Sequence, residues 1–284
     1  MKLTEMIRKK GFIKTVEMDP PKGPNLQGLV EKVRKLKSSF DAINITDGAT
    51  KHFYMSSIYA AFRLKELTGI EPIFHLTCRD HNKRSAQGIL FAAASAGLEN
   101  VLAITGDKSG EEETKCSRDV FDICSAIDLI KTIRSMNNGL YLNGETGEKT
   151  NFCIGAAGNP NADDLESEMG KLKAKVDSGA EFIQTQPVYD AERFFEYTEA
   201  ASKKGITAPI IAGILPIKSY NNALFLEKIP GIRIPAVLKQ RIAEKGSGEG
   251  LVIARELFHK LKSKAKGVHI FPIGNENLAL SVIR

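Results

Sequence analysis

The sequence predicts an α/β protein, specifically a (β/α)8 TIM barrel with extra helices before its last strand. Three observations predict this fold. Eight short runs rich in β-branched residues recur along the chain, longer amphipathic stretches separate them at a regular pitch, and 284 residues suit one such barrel. An open, doubly wound sheet is the alternative, but no G-x-G-x-x-G motif follows the first run.

The eight runs give the predicted strands in chain order. They are FIKTVEM (12–18), AINIT (42–46), PIFHLTC (72–78), VLAIT (101–105), FCIGAA (152–157), FIQTQ (182–186), PIIAGIL (209–215) and VHIFPI (268–273). Predicted helices lie near 25–37, 53–68, 83–96, 119–136, 163–178, 191–204 and 219–228, with extra ones near 235–245 and 249–264. Gly97 and Gly179 each follow a helical pattern directly, which predicts left-handed caps that end those helices.

The composition is that of an ordinary globular chain and excludes several classes of protein. Its 40 basic and 34 acidic residues give a net charge of +6 spread along the chain, which favours a phosphorylated or polycarboxylate ligand over nucleic acid. Four cysteines without CxxC spacing indicate neither a zinc site nor a disulfide framework. With no leader pattern and no membrane span in the sequence, we expect one cytoplasmic domain over residues 1–284.

Polar side chains gather at the predicted carboxyl ends of the strands, where barrels of this kind place their active sites. They are Glu17, Asp19, Thr46, Asp47, His75, Thr77, Thr105, Gly106, Asp107, Gln184, Gln186 and, beyond the seventh strand, Tyr220. Glu17 ends an apolar run just before Asp19 and two prolines. Partial desolvation at a barrel mouth would favour the protonated form of its carboxyl, so we predict a general acid there.

Several of these residues have structural alternatives. Asp47 and Asp107 precede helical patterns and could be helix caps or turn formers. His75 lies in an apolar strand, where a hydrogen-bonded core histidine is commoner than a ligand. The surrounding HLTCRDH lacks a metal-binding spacing, so no metal is predicted. Gln184 and Gln186 share a strand face, so at least one should point into the barrel.

Several motifs resemble the methylenetetrahydrofolate reductase family in order and nearly in spacing. They are VEMDPPKG, NITDGA, FHLTCRDHNK, AITGDK, KLKAKVDSGAEFIQTQPVYD, AGILPIKSYNNALFL, IRIPAVL and GVHIFPIGNENL, which together extend over almost the whole chain. The resemblance implies a flavin-bearing barrel, with FAD favoured over FMN. It implies reduction of 5,10-methylenetetrahydrofolate to 5-methyltetrahydrofolate in one-carbon metabolism and methionine biosynthesis. NADH, NADPH or an electron-transfer partner subunit would reduce the flavin.

The same resemblance implies roles for individual residues. Glu17 matches the family's general acid, and Asp107 matches an aspartate near the flavin's pyrimidine edge whose charge would make the reduced ring a better hydride donor. Gln186, Tyr220 and Asn275 fall at substrate-binding positions. Flavin-contacting positions are Thr46, Asp47, Ala49, His75, Thr105, Gly106, Asp107, Ala126, Gly158, Glu168, Lys171 and Lys175. Of these, Lys175 would supply positive charge to the cofactor's phosphates.

The chain departs from the familiar bacterial pattern at five positions. Thr105 and Glu276 stand where arginines are usual, Ser125 and Gly158 stand where tyrosines are usual, and Tyr220 replaces a phenylalanine. These departures concern the adenine half of FAD and the pyridine-nucleotide site. We therefore expect either a homo-oligomer or a hetero-complex with an electron-transfer subunit. Two other functions are kept as alternatives: a pterin-binding methyl-transfer barrel without redox chemistry, and a non-catalytic subunit that docks an electron-transfer partner.

Overall fold

The computed structural model of the chain describes residues 1–48, 53–106 and 119–284. Within them, eight parallel strands pair in chain order and close into a barrel, so the predicted (β/α)8 fold is confirmed. The strands are β1 (Ile13–Met18), β2 (Ala42–Ile45), β3 (Glu71–Thr77), β4 (Asn100–Ile104), β5 (Cys153–Gly158), β6 (Phe182–Pro187), β7 (Ile210–Ile214) and β8 (Gly267–Ile270).

Helices alternate with the strands in the described residues, and the predicted extra helices precede β8. The helices are α1 (Leu3–Lys10), α2 (Gln27–Leu36), α3 (Ser57–Thr68), α4 (Lys83–Ser95), α5 (Ala126–Asn137), α6 (Leu165–Ser178), α7 (Ala191–Lys203), α8 (Tyr220–Leu226), α9 (Ala236–Lys245), α10 (Glu249–Lys262) and α11 (Glu276–Val282). None of these helices is both long enough and apolar enough to cross a membrane.

The structure corrects the predicted elements at several ends. The short helices α1 and α11 were not predicted. The helix expected from residue 119 begins only at Ala126, because Ser125 caps it by accepting the Asp128 N–H at 3.2 Å. The last strand ends at Ile270, three residues early, since Pro272 lacks an N–H for pairing and Ile273 has a positive φ of 49°.

An apolar layer closes the amino-terminal end of the barrel. Helix α1 covers that end with Leu3, Met6 and Ile7. These side chains pack against inward-facing residues of the seven strands β1 to β7. Phe182 fills the centre so tightly that a Cβ on Gly155 would overlap its ring. A larger cluster packs the outer faces of the strands against the helices. Because the lower barrel is filled, space for a ligand remains at the carboxyl ends of the strands.

Candidate active site

A layer of polar side chains lies inside the barrel above the apolar layer. Asn44, His75 and Gln184 form one group, in which Asn44 Nδ2 lies 3.1 Å from His75 Nε2 and donates to Gln184 Oε1 at 2.7 Å. Thr15 and His269 form the other, with Thr15 Oγ1 2.9 Å from His269 Nδ1. His75 is thus a buried, hydrogen-bonded histidine, as the structural alternative expects, and Gln184 faces the barrel interior as predicted.

His75 is neutral in this layer. Burial lowers its pKa to about 4, and the neighbouring His269 acts in the same direction, whereas the charges of Glu17 and Asp47 oppose the shift. Because Asn44 Nδ2 is a donor, the Nε2 atom of His75 accepts and its proton lies on Nδ1. Asn44 Oδ1 is buried without a hydrogen-bond partner among the described residues, so this layer retains an acceptor for a ligand.

Glu17 lies at the end of β1, directly above the second polar group. Its side chain is 26% exposed, and its Oε2 lies 3.8 Å from Nε2 of the fully buried His269. That Nε2 has no hydrogen-bond partner among the described residues. His269 was not predicted as a site residue, although the inward position of a histidine in the VHI strand was a signal for it. Glu17 therefore has a buried imidazole behind it and open space in front.

Asp19 and Thr46 form a pair beside Glu17. The Thr46 hydroxyl donates to Asp19 Oδ1 at 2.7 Å. Desolvation raises the pKa of Asp19; the Thr46 hydrogen bond opposes this shift, and the charge of Glu17 reinforces it.

Asp47 joins the ends of two strands instead of capping a helix. Its Oδ2 accepts the Thr77 N–H at 2.9 Å and the Thr77 hydroxyl at 3.1 Å, and the His81 Nε2 lies 3.5 Å away. Nearby, Arg79 donates to the Gly48 carbonyl at 3.0 Å and pairs with Asp80. Arg79 lines the same space as Asp47 and was not predicted.

Two cavities open at this end of the barrel. The first, which we call the mouth cavity, has a volume of about 210 Å³ and is lined by Glu17, Thr46, Asp47, Gly48, His75, Thr77, Arg79, Leu102, Ile104, Gly106, Ala157, Gln184, Thr185, Gln186 and Phe271. The second, the side cleft, has a volume of about 410 Å³ and lies between the segments that follow β1 and β8. Of the described residues, Glu17 alone lines both.

The structure brings together one group of the predicted site residues. Glu17, Thr46, Asp47, His75, Gly106 and Gln186 all line the mouth cavity. Ala126 and Thr105 lie beside it, where the Ala126 N–H donates to Thr105 Oγ1 at 3.3 Å. Ala49 and Asp107 lie outside the described residues.

A second group of predicted residues lies around the end of β5. Buried Glu168 accepts the Asn159 N–H at 2.8 Å and the Tyr197 hydroxyl at 3.2 Å. Lys175 donates to the Ala157 carbonyl at 2.7 Å, and burial lowers its pKa. Lys171 is exposed. These side chains stabilise the edge of the mouth cavity, since Ala157 itself lines it.

The other three predicted residues do not line either cavity. A Cβ on Gly158 would overlap the Tyr197 hydroxyl, so this position faces the helices and offers only its backbone to a ligand. Asn275 caps α11 by accepting the Leu278 N–H at 3.2 Å. Tyr220 begins α8 and is 42% exposed.

The mouth cavity offers both hydrogen-bond donors and acceptors to a ligand. Asp47 offers a carboxylate, Gln184 and Gln186 offer amides, and Asn44 has an unpaired acceptor below them. Gly106 has a φ of 81°, and a Cβ there would lie 3.0 Å from Arg79 Cβ, so its glycine allows close approach of the backbone. These residues could therefore hold a flat, polar-edged ring.

Comparison with known proteins identifies the family. A sequence profile described as "Methylenetetrahydrofolate reductase" matches residues 2–284. The chain belongs to the methylenetetrahydrofolate reductase family. The resemblance stated from the motifs is therefore confirmed.

The curated relatives are longer than this chain. "Probable methylenetetrahydrofolate reductase (NADPH)" of Caenorhabditis elegans is 29% identical over 245 residues, which are 82% of this chain and 35% of the relative. "Methylenetetrahydrofolate reductase (NADH) 1" of Arabidopsis thaliana is 27% identical over 278 residues, 94% of this chain and 47% of the relative. The chain thus spans less than half the length of either relative.

Solved structures share the fold. An uncharacterized protein from Clostridium thermocellum, described as binding two copies of 5-methyl-5,6,7,8-tetrahydrofolic acid, has a TM-score of 0.65 at 16% identity, covering 99% of this chain and 97% of that one. A putative lyase/mutase from Burkholderia cenocepacia J2315 has a TM-score of 0.52 at 12% identity, covering 99% and 82%. At these identities the likeness concerns the barrel alone.

Proposed function

We propose that the chain reduces 5,10-methylenetetrahydrofolate to 5-methyltetrahydrofolate with a bound flavin. The observation that carries this proposal is the place of Glu17, whose carboxyl faces both cavities at the barrel mouth. An acid there can serve a substrate that lies across the boundary between the two cavities. Membership of the family supports the same reaction, since the relatives bear the name of this reductase.

Glu17 has the position of a proton donor. The methylene bridge of the substrate joins two nitrogens in a five-membered ring, and that ring must open before hydride can be delivered. Glu17 would protonate the departing nitrogen, which leaves an iminium cation beside the new carboxylate. His269 Nε2 lies 3.8 Å from Glu17 Oε2 and would help to hold the carboxyl in place.

The mouth cavity would hold the flavin. FAD, which the family resemblance favours over FMN, supplies the hydride when it is bound. Asp47, Gln184 and the backbone of Gly106 would contact the polar edge of its ring, and the neutral His75 adds no charge beneath it. By the motif match, Ala49 and Asp107 belong to the same site. Lys175 would face the phosphates by giving up its bond to the Ala157 carbonyl.

The electron donor is a separate part of the proposal. The names of the relatives include both NADPH and NADH forms, so family membership alone does not choose between them. We propose a pyridine nucleotide or an electron-transfer partner subunit as donor, in a homo-oligomer or a hetero-complex. Anaerobic stopped-flow bleaching of the flavin by NADH and by NADPH, with and without the partner, distinguishes these donors.

A product assay tests the proposed function. The purified protein is loaded with FAD, its flavin spectrum is recorded, and the reduced form is mixed anaerobically with 5,10-methylenetetrahydrofolate. We expect reoxidation of the flavin together with 5-methyltetrahydrofolate in equal amount. A protein that binds neither FAD nor FMN, or that transfers a methyl group without any change in the flavin spectrum, would contradict the proposal.

A further inference from the structure

Strand β6 carries one extra residue where it passes the mouth cavity. Gln184 pairs with Ile211 and Pro187 pairs with Gly213, so β6 advances by three residues where β7 advances by two. This arrangement is a β-bulge, which bends a strand and redirects the side chains around it. Gln186 lies inside the bulge and lines the mouth cavity. The direction of its amide therefore depends on how the bulge is held.

The hydroxyl of Thr185 holds one side of the bulge. It donates to the Gln186 carbonyl at 2.9 Å and accepts the Gly213 N–H at 3.0 Å. The hydroxyl oxygen thus takes the place of a backbone carbonyl in the ladder, and its proton is used on the residue that carries the amide. Gly213 permits this approach, because a Cβ there would lie 2.6 Å from the Thr185 carbonyl oxygen. Without the hydroxyl, the buried Gly213 N–H would lose its partner.

A buried asparagine holds the other side of the bulge. Asn161 follows β5 and is 8% exposed, and its Nδ2 donates to the carbonyls of Pro187 and Gly231, each at 2.8 Å. Both partners are acceptors, so the nitrogen of the Asn161 amide faces them. Pro187 directly follows Gln186, and a Cβ on Gly231 would lie 3.4 Å from Gln186 Cγ. Asn161 therefore ties together two backbone segments that border the Gln186 side chain.

The segment that carries Asn161 is itself fixed. The Asn161 N–H donates to Asn159 Oδ1 at 3.0 Å, which closes a tight turn. Arg193 of α7 donates to the Pro160 carbonyl at 3.0 Å and to the Ala162 carbonyl at 2.9 Å, one on each side of Asn161. Because the turn is held at both flanks, the Asn161 amide can serve as an anchor for β6.

We infer that Thr185 and Asn161 are positioning residues, which fix the β6 bulge so that the Gln186 amide points into the mouth cavity and contacts the pterin of the folate. This inference rests on the proposed function and on the motif match that makes Gln186 a substrate-binding residue. The Thr185 proton and the Asn161 Nδ2 are both used on backbone carbonyls. Their effect on folate binding is therefore carried by Gln186.

Calorimetric titration of the FAD-loaded protein with 5-methyltetrahydrofolate measures this effect. Thr185→Val keeps the shape of the side chain but removes its hydroxyl, and we expect the folate to bind about tenfold more weakly. Thr185→Ser keeps the hydroxyl and should bind the folate within about twofold of the wild type. The matched control Thr198→Val removes a hydroxyl of α7 that donates to the Phe195 carbonyl at 2.8 Å, and it should leave folate binding unchanged.

A double-mutant cycle shows whether the effect passes through Gln186. Gln186→Ala removes the amide and should itself weaken folate binding about tenfold. Once the amide is gone, the addition of Thr185→Val should weaken binding no further. The unfolding midpoint is measured for every variant, because loss of the Thr185 hydroxyl should lower stability whether or not the Gln186 amide is present.

Asn161→Asp tests the same inference from the segment after β5. The change keeps the shape of the side chain but places a carboxylate, which has no donor, against two carbonyl oxygens. Folate should bind more weakly, and this effect should also vanish in the Gln186→Ala background. The Asn161 cycle decides the matter if Thr185→Val does not fold.

Two results would overturn the inference while leaving folate reduction in place. One is an effect of Thr185→Val or Asn161→Asp that is as large without the Gln186 amide as with it. The other is wild-type folate binding in both single variants. A wild type that neither binds nor turns over folate would instead contradict the proposed function itself.

Discussion

Acid should destabilise this protein through His75, and the size of the effect follows from its burial. Its pKa falls from an ordinary 6.5 to about 4 in the folded chain, mainly through loss of solvent. Between these two pH values the unfolded chain binds a proton that the folded chain does not. The stability contributed by the neutral imidazole is therefore complete above pH 6.5, is lost as the pH falls towards 4, and changes no further below it.

The magnitude follows from the two pKa values. At about 1.4 kcal/mol for each pH unit, the His75 gap corresponds to about 3 kcal/mol of unfolding free energy lost across that range. Urea titrations followed by circular dichroism at closely spaced pH values measure it. The variant His75→Gln keeps an acceptor for Asn44 but carries no titrating ring.

The comparison is between the pH profiles of wild type and variant. We expect the wild-type profile to fall more steeply than that of His75→Gln below pH 6.5, by the amount given above. His259→Gln removes an exposed histidine of α10 and should follow the wild type. Parallel profiles for wild type and His75→Gln would refute the reasoning that burial keeps this ring neutral.

Substitutions at three further sites, with matched controls, test the barrel packing, the turn after β8 and the cap of α11. Gly155→Ala should cost roughly 1 to 3 kcal/mol of unfolding free energy, because the added Cβ overlaps the Phe182 ring. The control Gly170→Ala, on the open face of α6, should be neutral or stabilising by about 0.5 kcal/mol. Ile273→Asn should raise the thermal midpoint in scanning calorimetry, since asparagine tolerates a positive φ better than a β-branched residue does. Asn275→Ala should cost about 1 kcal/mol through the lost cap of α11, as measured by urea unfolding, and Asn275→Asp should restore it.

Much of the fold could be predicted because the strands carry a strong local signal. A buried parallel strand such as IIAGI is apolar on both faces, and it lies between helices long enough to show a period. The short helices α1 and α11 gave no such signal. Each has at most 8 residues, and α1 begins after Lys2 without a side-chain cap. The role of α1 in closing the barrel depends on contacts with strands that are distant in the sequence.

The candidate site could be predicted only in part. Glu17, Asp47 and Gln186 could be placed at one mouth because parallel strands end together. Asn44 and His269 were missed, since an inward-facing polar residue matters only when its partners on other strands are known. The side cleft depends on the meeting of two segments about 250 residues apart in the chain, which no local pattern records.

The most direct test of the central claim is to measure the two half-reactions separately in Glu17→Gln. Stopped-flow absorbance follows flavin reduction by the donor and then flavin reoxidation by 5,10-methylenetetrahydrofolate. With Glu17 as the proton donor, reduction should proceed at nearly the wild-type rate while reoxidation falls by about 100-fold or more. The control Glu196→Gln removes an exposed carboxylate of α7 and should leave both rates unchanged. Equal loss of the two half-reactions, or undiminished reoxidation, would contradict the account.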